Sequence, residues 1–119
     1  MKSNIISLIL MFAMAGFNSV SGQWTKNFID NNISTPASMD ADDIDGDGDP
    51  DIAATIYGET DLVWYENNNT SFTKHIIDNQ SGGVGVTIAD VNGNDTLDVV
   101  VAGYTEGLIT WYKNTGGLQ

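Results

Sequence analysis

The chain has 119 residues, with 16 acidic side chains against 4 lysines and arginines and a formal charge of −12. Nucleic acid and anionic membrane surfaces both reward clustered Lys and Arg, so that charge excludes them as partners and favours cations. No cysteine is present, which removes a disulfide framework and a thiolate metal site.

Residues 1–22 read as a secretory signal peptide. Lys2 precedes an apolar run from Ile5 to Phe17, and small residues follow at Val20-Ser21-Gly22, so cleavage is expected after Gly22. The run is too short to span a bilayer comfortably; an uncleaved N-terminal anchor is the alternative reading. The expected location is secreted, extracellular or at the cell surface, with the periplasm also open, and with no membrane insertion once the leader is removed.

Residues 23–119 carry the fold. A strand is expected over Trp24–Asp30, and a shorter one around Ala37–Ala41 leads into an aspartate loop. Seven of the twelve residues from Asp40 to Asp51 are aspartate. The chain then turns apolar and β-branched: "DIAATIY", "DLVWYE" and "FTKHIID" are strands bounded by Asp, Gly and Asn. The same series follows again, with a lead-in strand at Val84–Ala89, the loop "DVNGNDTLD", then "DVVVAGY" and "LITWYK".

These two series are one repeat. Asp43 and Asp90, Gly46 and Gly93, Asp51 and Asp98, Tyr57 and Tyr104, Glu59 and Glu106, Trp64 and Trp111, Tyr65 and Tyr112, and Asn67 and Asn114 coincide at a spacing of 47. "WTKNFIDN" from Trp24 and "FTKHIIDN" from Phe72 coincide at a spacing of 48. Four short strands in a unit of this length predict β-propeller blades. Blades pack face to face, which accounts for the continuous apolar runs after each loop.

Counted from Asp43, the side chains of Asp43, Asp45, Asp47 and Asp51 fall at positions 1, 3, 5 and 9, with the Asp49 carbonyl at position 7. Alternate side chains of a tightly curled loop converge, and calcium takes six to eight oxygen ligands in irregular geometry. A divalent ion would offset the repulsion of so many carboxylates. Gly48 at position 6 permits the sharp turn. The second loop offers Asp90, Asn92, Asn94 and Asp98 with the Thr96 carbonyl, and Asp95 replaces the glycine. With two carboxylates against four it is expected to bind calcium more weakly, or to close on its own Asn and Asp hydrogen bonds without an ion. An EF-hand is excluded: position 12 is Ala54 or Val101, where that loop needs glutamate, and strands follow.

"DIDGDGDPDIAA" and "DVNGNDTLDVVV", each followed by "WYENN" or "WYKN", resemble the FG-GAP/VCBS repeats of secreted bacterial proteins. The resemblance implies integrin-type propeller blades with calcium between the first and second strands of each. By position it assigns Asp43, Asp45, Asp47, Asp49 and Asp51 to one ion, and Asp90, Asn92, Asn94, Thr96 and Asp98 to another. The units are then 23–36, an outer strand closing another blade; 37–80, a first repeat; and 81–119, a second repeat lacking its last strand. Two blade equivalents fall short of a ring, so further blades are expected from a longer chain or from self-assembly.

Trp64, Tyr65, Trp111 and Tyr112 are expected between blades, against the sharper reading of a sugar-stacking platform. His75 reads as an ordinary strand residue. Lys26 and Lys74 read as outer-strand lysines that blunt edge pairing. No catalytic constellation can be assembled. The expected function is an exported, non-catalytic calcium-binding module for adhesion or for binding a glycan or protein. The second expectation is the scaffold portion of an extracellular polysaccharide-degrading enzyme, such as a lyase, with its chemistry elsewhere.

Overall fold

The structure, a computed structural model, describes residues 22–79, 82–105 and 107–116. The leader lies outside them except for Gly22. The described residues form seven strands: β1 (Pro36–Asp42), β2 (Asp51–Ile56), β3 (Asp61–Asn67), β4 (Phe72–Asp78), β5 (Gly83–Ala89), β6 (Asp98–Gly103) and β7 (Ile109–Tyr112). They make two antiparallel sheets, β1-β2-β3-β4 and β5-β6-β7. Each sheet is a meander in which sequential strands pair, with the aspartate loops joining β1 to β2 and β5 to β6. This is the all-β, blade-like architecture that the repeat predicts.

Strand alternation assigns the two faces of the first sheet. Ala53, Leu62 and Trp64 point toward the second sheet and pack with Ile44, Ile88, Val99 and Val101. Ala54, Ile56, Val63 and Tyr65 point the other way, under Ile33, Ile52 and Phe72. Residues of both parities are therefore buried, and "DIAATI" and "DLVWY" are apolar throughout for that reason. Complete burial of a side chain such as Leu62, at 0 % exposure, contributes about 1.5–3 kcal/mol. The sheets meet along β5, which lies against β1 and β2. Gly83 makes that approach possible: a Cβ there would sit 2.7 Å from both Thr55 Cγ2 and Val101 Cγ1.

Polar ties cross the same boundary. Asp40 on β1 accepts from the Ile88 amide at 2.9 Å and from the Thr87 hydroxyl at 3.2 Å. Those bonds, led by the Ile88 amide and opposed by burial, hold its carboxyl below the ordinary range. The Tyr112 hydroxyl donates to Asp78 at 2.6 Å.

One expected strand is absent. Trp24–Asp30 is irregular, with Trp24 98 % exposed. An outer strand exists only when a sheet edge receives it, and no described strand pairs with this segment. Its last residue is nevertheless anchored. Asp30 accepts from the Tyr65 hydroxyl at 3.0 Å and lies 3.6 Å from the Lys74 ammonium.

Two of the four repeated aromatics, Trp64 and Tyr112, pack between the sheets as expected, whereas Tyr65 is buried on the other face of the first sheet. Trp64 and Tyr65 are buried and Tyr112 is half-buried against the core, but Trp111 is 44 % exposed. His75 stacks on Trp64 with ring centroids 4.6 Å apart, and its Nε2 meets Glu66 at 2.8 Å. Lys74 stands on β4 at the edge of its sheet.

Candidate metal centre

The loop between β1 and β2 curls because its carboxylates capture its own amides. Asp43 accepts from Gly46 N at 2.8 Å and from Gly48 N at 3.0 Å. Asp45 accepts from Asp47 N, and Asp47 from Asp49 N. Gly46 and Gly48 take φ of 81° and 97°, a region that side chains rarely enter. Asp51, fully buried at the start of β2, closes the loop by accepting from Ile44 N at 3.0 Å and Asn67 N at 2.8 Å.

Carboxylate oxygens of Asp43, Asp45 and Asp51 lie within 4.8 Å of one another. Asp47 lies outside this group, its Oδ1 taken by the Asp49 amide. The donor set is all carboxylate, the chemistry of a hard cation, and the oxygens engaged by amides retain lone pairs for an ion. Burial pushes the Asp45 carboxyl above its ordinary range; the Asp47 amide opposes that, while the charges of Asp51, Asp47 and Glu66 reinforce it. A positive ion there removes the repulsion. The residues present fit calcium.

The second loop repeats the frame with a different charge balance. Asp90 accepts from Gly93 N at 2.8 Å, Asn94 N at 3.1 Å and Asp95 N at 2.9 Å. Burial acts on its carboxyl in the upward direction, but these amides and that of Asn92 outweigh it and hold the carboxyl low. Asp98 accepts from Asn114 N at 2.8 Å, as Asp51 does from Asn67. It also accepts from the Asn92 side-chain amide at 3.1 Å, so Asn92 donates to a carboxylate where Asp45 would repel one. Asn94 accepts from Thr96 N. Asp95 takes φ of 62°, the conformation that the first loop gives to Gly48.

Ile44, Asp45, Thr96, Leu97 and Asn114 are among the residues lining a cleft of about 210 Å³, which brings the two loops side by side. Asn114 spans it, donating from Nδ2 to the Ile44 carbonyl at 3.1 Å. Asn67 and Asn114 therefore fasten loops to strands, a role that sequence reasoning did not assign although both recur at the repeat spacing.

Residues 43–101 match the family model described as FG-GAP-like repeat. No curated protein and no solved structure gives a match. The matched segment runs from Asp43, at the start of the first loop frame, through both loops into β6. Within it lie both loop frames, strands β2 to β5 and the first part of β6. This chain is an FG-GAP-like repeat protein, built as two adjoining blades of propeller type.

Proposed function

We propose that the chain is an exported, non-catalytic calcium-binding repeat module that presents a rigid blade surface for adhesion, or for binding a glycan or protein. The convergence of the Asp43, Asp45 and Asp51 carboxylates carries this reading. Calcium supplies positive charge among them; the chain's own residues curl the loop, hold Asp51 at the root of β2 and keep Asp45 aimed inward. The second loop is a weaker site, because it offers two carboxylates where the first offers four. The blade frame needs no reacting group, and none of the candidate residues forms a nucleophile–base pair.

The test is calorimetric titration of the chelator-stripped chain with calcium, with far-UV circular dichroism on the same sample. Binding at the first loop, abolished by Asp45→Asn and weakened less by Asp47→Asn, is the expected outcome. Absence of heat with intact β signal would reject calcium binding.

A further inference from the structure

The repeat allows each face of one blade to be compared with the same face of the other. Ile44, Leu62 and Trp64, on the first blade's side facing the second, are 5 %, 0 % and 3 % exposed. Their equivalents 47 residues on, Val91, Ile109 and Trp111, are 47 %, 78 % and 44 % exposed. The second blade therefore carries the same apolar face with nothing packed on it among the described residues. The opposite side is only partly open: Ala54, Ile56, Val63 and Tyr65 are buried on it, but Met39, the equivalent of Val86 in the inter-blade core, is 67 % exposed. The molecule thus has unlike faces at its two ends, one open along Val91, Ile109 and Trp111 and the other open at Met39, and the contact between its own blades shows how such faces fit.

The strands give a second, independent mismatch. β7 is the edge of a three-stranded sheet, whereas β3, its equivalent, is covered by β4. The segment equivalent to β4, Trp24–Asp30, is present and irregular, with Trp24 98 % and Phe28 65 % exposed. It is tethered at its end as β4 is. Asp30 accepts from Tyr65 of its own first blade, just as Asp78 at the end of β4 accepts from Tyr112 of the following blade. A strand ending at Asp30 therefore belongs to a blade lying before the first one. Beside β7 there is also a groove of about 640 Å³, lined by Trp64, His75, Ile77, Val99 and Tyr112 among others. A fourth strand added to β7 would direct alternate side chains toward it.

We propose that copies of this chain associate head to tail, Trp24–Asp30 of one copy adding as the fourth strand to β7 of another while the exposed Val91/Ile109/Trp111 face receives that copy's first blade. The observed β3–β4 register, with Trp64 opposite His75, Val63 opposite Ile76 and Asn67 opposite Phe72, transfers directly. It sets Trp111 opposite Asn27, Thr110 opposite Phe28 and Asn114 opposite Trp24. Trp24 and Phe28 then occupy the groove face, and Asn27 and Ile29 extend the face that meets the next blade. Such an interface joins unlike surfaces, so it propagates until the rotation closes a ring.

The chain has no cysteine, so a pair introduced at one predicted contact reports pairing without background. Asn27→Cys combined with Trp111→Cys in the full chain should oxidise to a ladder of disulfide-linked oligomers joined between positions 27 and 111. Mixing the two single variants should give covalent dimers. Ile109→Lys with Trp111→Lys, both on exposed positions, should shift association measured by sedimentation by about tenfold or more while leaving the β signal intact. The readout does not require an ion, so it is separable from the calcium reading. A chain that sediments as a monomer at all concentrations, or a link between positions 27 and 111 of a single chain, would overturn the proposal.

Discussion

Position 3 of the loop frame carries two electrostatic characters: Asp45 faces the charges of Asp51, Asp47 and Glu66, whereas Asn92 donates to Asp98. A carboxyl whose native pKa is raised disfavours folding once it ionises. That penalty is absent below the unfolded value, about 3.9, and complete above the native one. In chelator, acidification through this window relieves Asp45; with calcium bound, the same protons compete for its ligand. The gain in melting temperature from calcium should therefore be largest near neutral pH and shrink as pH falls toward about 4. Melts at neutral and acid pH, with and without calcium, decide it; a constant increment would mean Asp45 does not face the ion. Asp51 has a second role that survives chelation. Asp51→Ala strands the Ile44 and Asn67 amides and should cost about 2–3 kcal/mol in denaturant melts even without calcium.

At the scale of the strand, burial separates residues that the repeat makes look alike. Trp64 is 3 % exposed and stacked on His75, so Trp64→Ala should destabilise by about 3–5 kcal/mol. Trp111→Ala, at a dilution where the chain is single, should cost far less, about 1 kcal/mol, because nearly half of the residue already lies in water. Equal losses in urea titrations would mean that the second blade's outer face is covered. The contrast also marks what the sequence made legible. β-Branched runs and flanking Asp and Gly placed β2, β3 and β6 to within a residue or two, because two-sided burial leaves a continuous apolar signature; β1, mostly exposed and without a β-branched residue, was placed by its position before the loop. Trp24–Asp30 repeats the pattern of β4 and forms no strand, since a strand needs a neighbour and composition does not name one. The convergence of Asp43, Asp45 and Asp51 was readable from spacing, as alternate side chains on a tight turn can meet. Asp47 falls outside the cluster although it stands at the same alternate spacing, so spacing alone does not decide which carboxylates meet. Nor does spacing tell that Asn92 donates to Asp98.

Across the whole molecule, the first loop is fastened to both blades through one residue. Ile44 lies between Asp43 and Asp45, with its side chain 5 % exposed in the inter-blade core. Its amide donates to Asp51 of β2 and its carbonyl accepts from Asn114 beyond β7. An ion held by Asp43, Asp45 and Asp51 would fix the backbone on both sides of Ile44, and so its side chain among Ile88, Val99 and Val101. Local opening of the second sheet should then require release of the ion or rupture of that contact. The expected result is that calcium slows amide hydrogen exchange in β6 as well as in β2, although every carboxylate of that cluster belongs to the first repeat. Asn114→Ala should preserve the calcium-dependent protection of β2 and reduce that of β6, because it removes the polar half of the tie while sparing the ligands. Protection confined to the first blade in the unaltered chain would mean that the inter-blade core opens independently of the loop. The two repeats would then share a family without sharing the ion's stabilisation.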